Sequence, residues 1–454
     1  MAAHDFDADL FRRHDLPGPG YISYPTPRHF EPFTPAQHAE AVARACASEM
    51  AGPLSVYVHV PLCTSPCFWC GCAKVEGCDG PGSRRYHEAL LKEIELQAAL
   101  LPAPRPIEQL QLGGTASSFD DEQLAVLMRH LEQHFGFARA DRREFSIEID
   151  LRRFDRDRLA RLVQIGFNRV VVGGNDAESV AVLESPLAER LSAAHEVGIR
   201  SVAVDLVYGL PGQSPDAFDA TLERVVARKP DRVALFGFAH LGAVFKARQP
   251  TDPDRLPDAA TRLEFLERSV ERLTAAGYVH IGTDHFARPE DELAVAVQEG
   301  RLQRNLQGYA TRAGLDLLGF GATAISRIGG AYSQNARTIA EYQAAIEGGQ
   351  LATVRGRRLT GDDQLRATVI ERILCGREVR YGVLEARYGV HFKTHFQVAL
   401  RQLRPAVRDR LVQVHSDRLA PTHRGRYLLR TMASAFDAYF EPAVPGAAAP
   451  ADAS

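Results

Sequence analysis

The sequence predicts an α/β fold, an open (β/α)6 barrel with a small C-terminal, mostly helical, winged-helix-like domain. Three observations support this prediction. From Leu54 to Leu241, short runs of β-branched and apolar residues alternate with amphipathic helical segments, which is typical of a parallel sheet covered by helices. A cysteine-rich segment directly follows the first apolar run. From about Thr360 the pattern changes to helices closed by a small β-wing, Leu411–Ala420.

The elements of the barrel follow in order along the chain. Six strands are predicted, at Leu54–Val60, Ile107–Leu112, Glu144–Ile149, Arg169–Val172, Ser201–Val207 and Arg232–Phe238. Apolar residues at helical spacing predict helices over Tyr86–Leu101, Glu122–His134 and Leu187–Val197 between the strands, and a further helix over Asp258–Gly277. Because parallel barrels place their chemistry at the carboxyl ends of the strands, we expect the site residues there.

The chain of 454 residues is long enough for a full barrel and a second, smaller domain. We predict an N-terminal arm over residues 1–50 that closes the barrel mouth. The barrel and a Gly-rich wrap-around segment occupy 51–355, and the helical domain occupies 356–440. The tail, 441–454, has nothing to bury and is expected to be disordered.

Composition excludes several classes of partner. A net charge of −3 gives no electrostatic reason to expect nucleic acid or an anionic membrane. No apolar stretch approaches the roughly 20 residues of a membrane span, and the first residues lack the pattern of an export signal. We therefore expect a cytoplasmic protein, in a compartment that keeps thiols reduced, and a monomer.

Three cysteines, Cys63, Cys67 and Cys70, lie on one short segment after the first strand. Four-iron clusters normally take four thiolates, so three would leave one iron open to a small chelating ligand. A zinc site is less favoured, because a structural zinc site needs a second ligand pair nearby. The two His-x-x-x-His pairs, His130/His134 and His391/His395, lie far along the chain and are expected to be surface or core histidines. Cys72 is predicted to be a neighbour of the cluster and not a ligand.

This spacing resembles the cluster-binding loop of radical S-adenosylmethionine enzymes, and further motifs extend the resemblance. The chain resembles the oxygen-independent coproporphyrinogen III oxidase family, because motifs similar to those of that family occur in the same order. They lie at Tyr21–Thr26, Tyr57–Cys63, Cys70–Cys72, Gly113–Thr115, Ile147–Asp150, Gly166–Arg169, Asp205–Pro211, Ala239–Leu241, Asp284–Pro289 and Arg304–Tyr309. The resemblance covers roughly residues 20 to 440.

The resemblance implies a reaction, its cofactors and its partners. A 5′-deoxyadenosyl radical takes a hydrogen from a propionate of coproporphyrinogen III, carbon dioxide leaves, and two propionates become the vinyl groups of protoporphyrinogen IX in porphyrin and haem biosynthesis. The cofactors implied are a 4Fe-4S cluster and S-adenosylmethionine, which a cellular one-electron reductant would supply with electrons. The protein positions and protects this chemistry.

The resemblance also implies roles for individual residues. The cluster ligands would be Cys63, Cys67 and Cys70. The cofactor-binding residues would be Tyr57, Trp69, Gly113, Gly114, Thr115, Glu148, Asn175, Asp205, Ala239 and Ile325. The substrate-binding residues would be Tyr21, Tyr24, His285, Arg288 and Gln307.

Plainer interpretations stay open for several of these residues. Gly113-Gly114 could form an ordinary tight turn, and Glu148 could lie on an exposed strand face. Packing alone could explain Trp69, Ala239 and Ile325. A salt bridge within the loop could account for His285 and Arg288.

The chain departs from the family pattern at one cofactor site. Asn175 replaces a glutamine, and the stretch from Asn175 to Glu189 lacks the arginine expected to contact a second S-adenosylmethionine. Arg190 could compensate only if the loop repacks. Two hypotheses follow, the decarboxylating oxidase and a porphyrin- or haem-binding paralogue without oxidase activity, serving haem trafficking, methyl transfer or another porphyrin modification.

Overall fold

The computed structural model describes residues 7–14, 21–48, 51–62, 80–174, 190–238 and 255–440. The predicted tail 441–454 lies outside these residues. The strands are β1 (Glu31–Pro32), β2 (Leu54–Val60), β3 (Ile107–Gly114), β4 (Glu144–Ile149), β5 (Arg169–Gly174), β6 (Ser201–Tyr208), β7 (Arg232–Gly237), β8 (Val279–Gly282), β9 (His285–Ala287), β10 (Gln303–Asn305), β11 (Gly308–Ala310), β12 (Asp316–Phe320), β13 (Ile325–Ile328), β14 (Ala331–Asn335), β15 (Thr353–Arg358), β16 (Val379–Arg380), β17 (Val412–Val414) and β18 (Arg418–Pro421).

The helices cover the sheet and build the C-terminal region. They are α1 (Ala8–His14), α2 (Pro35–Cys46), α3 (Pro81–Ala98), α4 (Asp121–Phe135), α5 (Arg156–Ile165), α6 (Arg190–Glu196), α7 (Pro215–Ala227), α8 (Ala259–Ala275), α9 (Glu292–Gln298), α10 (Ile339–Glu347), α11 (Gly361–Leu374), α12 (Tyr381–Tyr388), α13 (Phe392–His395), α14 (Gln397–Gln402), α15 (Arg404–Arg408) and α16 (Leu429–Ser434). Single 3-10 turns occur at Pro27–His29, Ala116–Ser118 and Arg426–Leu428. None of the described helices is long and apolar enough to cross a membrane.

Strands β2 to β7 pair in parallel and in chain order, which confirms the predicted open (β/α)6 barrel. The strands are almost wholly apolar on the face that the helices cover, as expected of a parallel sheet buried on both sides. Strand β12 adds in parallel beside β2. The antiparallel strands β13, β14, β15 and β1 continue the sheet beyond β12, and β9 and β8 continue it beyond β7.

Side-chain caps fix where the helices begin. Asp120 accepts a hydrogen bond from the backbone N–H of Gln123 at the start of α4, and the Gln123 side chain in turn accepts one from the backbone N–H of Asp120. Thr360 and Asp363 form the same reciprocal pair at α11. Such caps satisfy backbone donors that the first turn leaves unpaired, so the helix starts follow from the local sequence.

The apolar residues form one large core between the sheet and its helices, and a second in the C-terminal region. The second core packs α11 to α16 around a small antiparallel sheet of β16, β18 and β17, which confirms the winged-helix-like domain. Leu10, Tyr21 and Tyr24 from the N-terminal segment also belong to this second core.

Candidate active site

A cavity of about 1440 Å³ lies inside the barrel and is lined by residues from all six parallel strands, β2 to β7. Its described lining includes Gln109 near the start of β3 and Gly114 at its end. The predicted site residues that line it are Tyr21, Tyr57, Gly114, Thr115, Glu148, Asp205, His285, Gln307 and Ile325. Residues far apart in the sequence are therefore brought to one cavity.

The Gly113-Gly114-Thr115 turn closely contacts the neighbouring strand β2. A side chain on Gly113 would put its Cβ 2.6 Å from the Tyr57 hydroxyl, and one on Gly114 would lie 2.6 Å from the Val60 carbonyl oxygen. Gly114 also has a φ of +79°, which glycine adopts without strain. The two glycines thus allow the end of β3 to pass against Tyr57 and Val60.

Thr115 fastens the chain immediately before the cysteine segment. Its hydroxyl donates to the Val60 carbonyl at 2.8 Å and accepts from the backbone N–H of Leu62 at 2.9 Å. Leu62 is the last described residue before Cys63. Thr115 therefore fixes the position at which the cysteine segment leaves the barrel.

Two carboxylates, Glu148 and Asp205, face the cavity from neighbouring parts of the sheet. Glu148 accepts a hydrogen bond from the backbone N–H of Gly114 at 2.9 Å. Burial raises the pKa of Asp205 to about 7, and the nearby Glu148 carboxylate adds to the rise. Within the described part of the chain, no hydrogen bond is found to the Asp205 carboxylate, which lines the cavity, so it can accept a cationic ligand there.

A second acidic group lies opposite, at the start of β9. His285 Nδ1 donates to Asp284 at 2.5 Å, and its ring packs edge-on against Phe236 and Tyr309. Burial alone would raise the pKa of Asp284, but His285 and Arg304 hold it below its usual range. His285 is therefore oriented in the cavity by an ionised carboxylate.

The other predicted substrate residues differ in whether they line the cavity. Tyr24 and Arg288 are not among the described residues that line the cavity. Arg288 lies 3.6 Å from Glu290, which favours the salt bridge. Gln307 lines the cavity but bonds the Val56 carbonyl and the Ser55 hydroxyl, so β2 already holds its amide.

Six predicted site residues lie outside the described part of the chain. They are Cys63, Cys67, Cys70, Trp69, Asn175 and Ala239. The described surroundings fit a cluster with a bound S-adenosylmethionine, because a fixed root for the cysteine segment and two carboxylates suited to an amino group share one cavity.

A buried network beside the cavity was not predicted from the sequence. Glu93 on α3 is fully buried and accepts hydrogen bonds from Gly321 N, Tyr342 Oη and Asn335 Nδ2 at 2.6 to 2.7 Å. Burial raises its pKa to about 7. The helical spacing of Tyr86, Leu90, Glu93 and Gln97 was the signal that could have placed Glu93 on the core side.

The network holds the loop after β12 against the cluster strand β2. Tyr86 Oη donates to the His59 carbonyl and accepts from Ala322 N, both at 2.8 Å. The His59 ring lies within hydrogen-bond distance of the Ala322 carbonyl and of Thr323 Oγ1. This loop leads into Ile325 of the cavity wall.

Arg190, the residue considered as a substitute for the missing arginine, has other partners. Its guanidinium donates to the carbonyl of Leu151 at 2.6 Å and to that of Phe154 at 3.3 Å. Both carbonyls belong to the turn after β4. In this arrangement Arg190 supports the barrel rim.

The open parallel barrel, in which a cysteine-rich sequence directly follows the first parallel strand, is that of a radical S-adenosylmethionine enzyme. The model of the Radical SAM superfamily matches residues 57–225, and that of the HemN C-terminal domain matches residues 359–428.

Comparison with curated relatives shows to which family within this superfamily the chain belongs. The oxygen-independent coproporphyrinogen III oxidases of Pseudomonas aeruginosa and Escherichia coli are 40% and 39% identical to this chain, each alignment covering 96% of both proteins. The solved structure of coproporphyrinogen III oxidase (HemN) from Escherichia coli superposes with a TM-score of 0.85 at 38% identity, over 96% of this chain and 99% of the other. The chain belongs to the family of oxygen-independent coproporphyrinogen III oxidases.

Proposed function

We propose that the protein converts coproporphyrinogen III to protoporphyrinogen IX without oxygen, by oxidative decarboxylation of two propionate side chains. The observation that carries the proposal is the cavity that gathers Tyr57, Gly114, Glu148, Asp205 and Ile325, with Leu62, the residue before Cys63, also in its lining. The relatives above carry the name of this oxidase. The missing arginine is the one feature that favours the non-oxidase paralogue, and none of the relatives described above carries such a name.

Different residues of the chain would bind the cofactor and hold the backbone before the cysteine segment. When bound, the cluster and S-adenosylmethionine supply the radical that removes a hydrogen from the propionate β-carbon. Glu148 and Asp205 suit the cationic amino group of the methionine moiety. Thr115 holds the backbone at Leu62, the residue before Cys63.

Cationic side chains in the cavity lining suit the carboxylates of the substrate. Arg28, Arg84 and Arg430 are among its described lining residues, and guanidinium groups bind carboxylates with two parallel hydrogen bonds. We propose that such contacts hold the propionates, in the cavity that His285 also lines. For each propionate, one hydrogen atom leaves to the radical, carbon dioxide departs, and one electron passes to an acceptor, so that a vinyl group forms.

Anaerobic assay of reconstituted protein tests the proposal. With coproporphyrinogen III, S-adenosylmethionine, a one-electron reductant and an electron acceptor, we expect protoporphyrinogen IX and two molecules of carbon dioxide per substrate. Alanine at Cys63, Cys67 or Cys70 should abolish the reaction and the cluster absorbance, whereas Cys72→Ala should keep the cluster. A fully loaded enzyme that cleaves S-adenosylmethionine but leaves coproporphyrinogen III unchanged would contradict the proposal.

We further propose that S-adenosylmethionine binds tightly at one site and weakly at a second. Asn175 is shorter than the family's glutamine, the expected arginine is missing, and Arg190 is bonded to the carbonyls of Leu151 and Phe154. Loss of a charge-assisted hydrogen bond costs about 1.5–3 kcal/mol, hence a second site weakened roughly ten- to hundredfold. Equilibrium dialysis of cluster-loaded protein measures this directly. Two tight equivalents would show that another group replaces the arginine.

A further inference from the structure

Two neighbouring helices on the outer wall of the barrel bring together three metal-ligating side chains. Glu95 lies on α3, and His130 and His134 lie one turn apart on α4. One ligand atom from each residue lies within 4.8 Å of the other two. The two imidazole rings are 4.6 Å apart between centroids.

The strongest indication of a ligand is a nitrogen without a partner. His130 Nε2 is buried, and within the described part of the chain it has no hydrogen bond. It lies 3.2 Å from a Glu95 carboxylate oxygen, but the geometry does not meet that of a hydrogen bond. A buried polar atom without a partner is costly, and an ion between this nitrogen and the carboxylate would satisfy both.

A second His-x-x-x-His pair in the same chain shows that the spacing alone does not produce such a site. His395 Nε2 lies 2.6 Å from an Asp362 carboxylate oxygen, and His391 Nδ1 lies 2.9 Å from Thr394 Oγ1. Both histidines of that pair already have partners. The cluster on α3 and α4 differs because its ligand atoms face one another.

We propose that Glu95, His130 and His134 bind a divalent transition-metal ion of the zinc type. Imidazole nitrogens suit Zn²⁺, Ni²⁺ and Cu²⁺, whereas Mg²⁺ and Ca²⁺ prefer sites built from oxygen ligands. Three protein ligands leave a position for water, and the exposed Glu95 side chain keeps that position accessible.

The location of the site gives the ion a structural role. Helix α3 ends shortly before β3 begins, and α4 ends shortly before β4 begins, so the site lies near the starts of the strands. This end of the barrel serves stability, since the chemistry of such barrels lies at the other end. The ion would tie α3 to α4 and leave the reaction unchanged.

Calorimetric titration of cluster-loaded protein without a histidine tag tests the site, under anaerobic conditions and with Zn²⁺ as the probe. We expect one saturable equivalent in the wild-type protein. His130→Gln and His134→Gln should each weaken binding by at least about tenfold, since loss of even an outer-shell partner costs that much. Zn²⁺ should raise the melting temperature of the wild type and not of these variants.

Two further variants complete the test. His395→Gln is the matched control, and it should bind Zn²⁺ like the wild type. If a histidine variant does not fold, its cluster absorbance will be lost. Glu95→Gln then replaces that variant in the Zn²⁺ titration. The proposal is overturned if the wild type shows no saturable Zn²⁺ site, or if folded variants at all three ligands bind as tightly as the wild type.

Discussion

The Asp205 carboxylate should make the stability of the ligand-free protein depend on pH. Burial and Glu148 raise its pKa from 3.8 to about 7. Between about pH 4 and 7 the folded protein therefore holds a proton that the unfolded chain has released, and stability falls as pH rises through this window. Asp205→Asn removes the titrating group, so the variant's advantage in melting temperature should grow from pH 4 to pH 8. Asp157→Asn, at an exposed position, is the control. The prediction is contradicted if, for both variants, the difference in melting temperature from the wild type does not change with pH.

Glu93 should be far more sensitive to amide substitution than an exposed glutamate of the same helix. All three of its partners donate hydrogen bonds, so Glu93→Gln places an amide N–H₂ against a donor. We expect a loss of about 1–3 kcal/mol in the free energy of unfolding. Glu88→Gln on the exposed face of α3 should change little. Denaturant titration measures both variants, and equal unfolding midpoints would count against the network.

A buried charged residue can be recognised from the sequence only where its neighbours in the chain are clearly those of a buried element. Asp205 stands out because it interrupts an apolar strand, and the structure places it in the cavity. Glu93 does not stand out, since a glutamate in an amphipathic helix usually faces solvent. Its partners Gly321 and Asn335 lie more than two hundred positions away. Arg288 shows the reverse problem, because a loop arginine gives no sign of which carboxylate it will meet.

At the scale of elements, Gly319 in β12 should not tolerate a side chain. An added Cβ would lie 2.6 to 2.9 Å from backbone atoms of Ile325, and backbone cannot rotate away as a side chain can. We expect Gly319→Ala to lower stability by about 1–3 kcal/mol and to impair cluster reconstitution, since β12 pairs with β2.

Gly361→Ala provides the matched control for this prediction. Gly361 is the first residue of α11, and a Cβ added there would meet no atom within 4 Å. Alanine there should leave stability unchanged or raise it by about 0.5–1 kcal/mol. Equal loss in both variants would show that the tight contact at Gly319 is not the cause.

The barrel strands were the most predictable elements. Leu54–Val60 and Glu144–Ile149 have the predicted bounds, and the other four differ by one or two residues at their carboxyl ends. Their apolar and β-branched residues carry a strong signal because the face that the helices cover is buried in the core. Strands β12 to β14 could not be distinguished within the Gly-rich wrap-around segment. Their partners lie elsewhere in the chain, and glycine weakens the local pattern.

At the scale of the whole molecule, the N-terminal segment should be essential for the substrate and dispensable for the cofactor. Tyr21 Oη donates to Asp437 at 3.0 Å and Ala438 N donates to Tyr24 Oη at 2.9 Å, while Tyr21 and Arg28 line the cavity. Deleting residues 1–30 should stop porphyrinogen turnover and leave uncoupled S-adenosylmethionine cleavage measurable. Both reactions can be followed anaerobically by chromatography.

An exposed position in the same segment supplies the control. Arg12 pairs with Asp9 on the surface of α1, and Arg12→Ala should leave both reactions unchanged. Unaltered decarboxylation after the deletion would reject the role of the segment. The sequence predicts an N-terminal arm that closes the barrel mouth, but it could not predict contacts between positions 416 residues apart, which depend on how the second core assembles.

The cluster strand β2 acquires its two neighbours at very different times during synthesis. Strand β3 emerges from the ribosome soon after β2, whereas β12, the partner on the other side, follows only at Asp316–Phe320. Until then β2 presents an open edge that can pair with other chains. Iron delivered before that point would meet cysteines that follow an incompletely paired strand, so the order of synthesis favours cluster assembly after β12 has paired with β2.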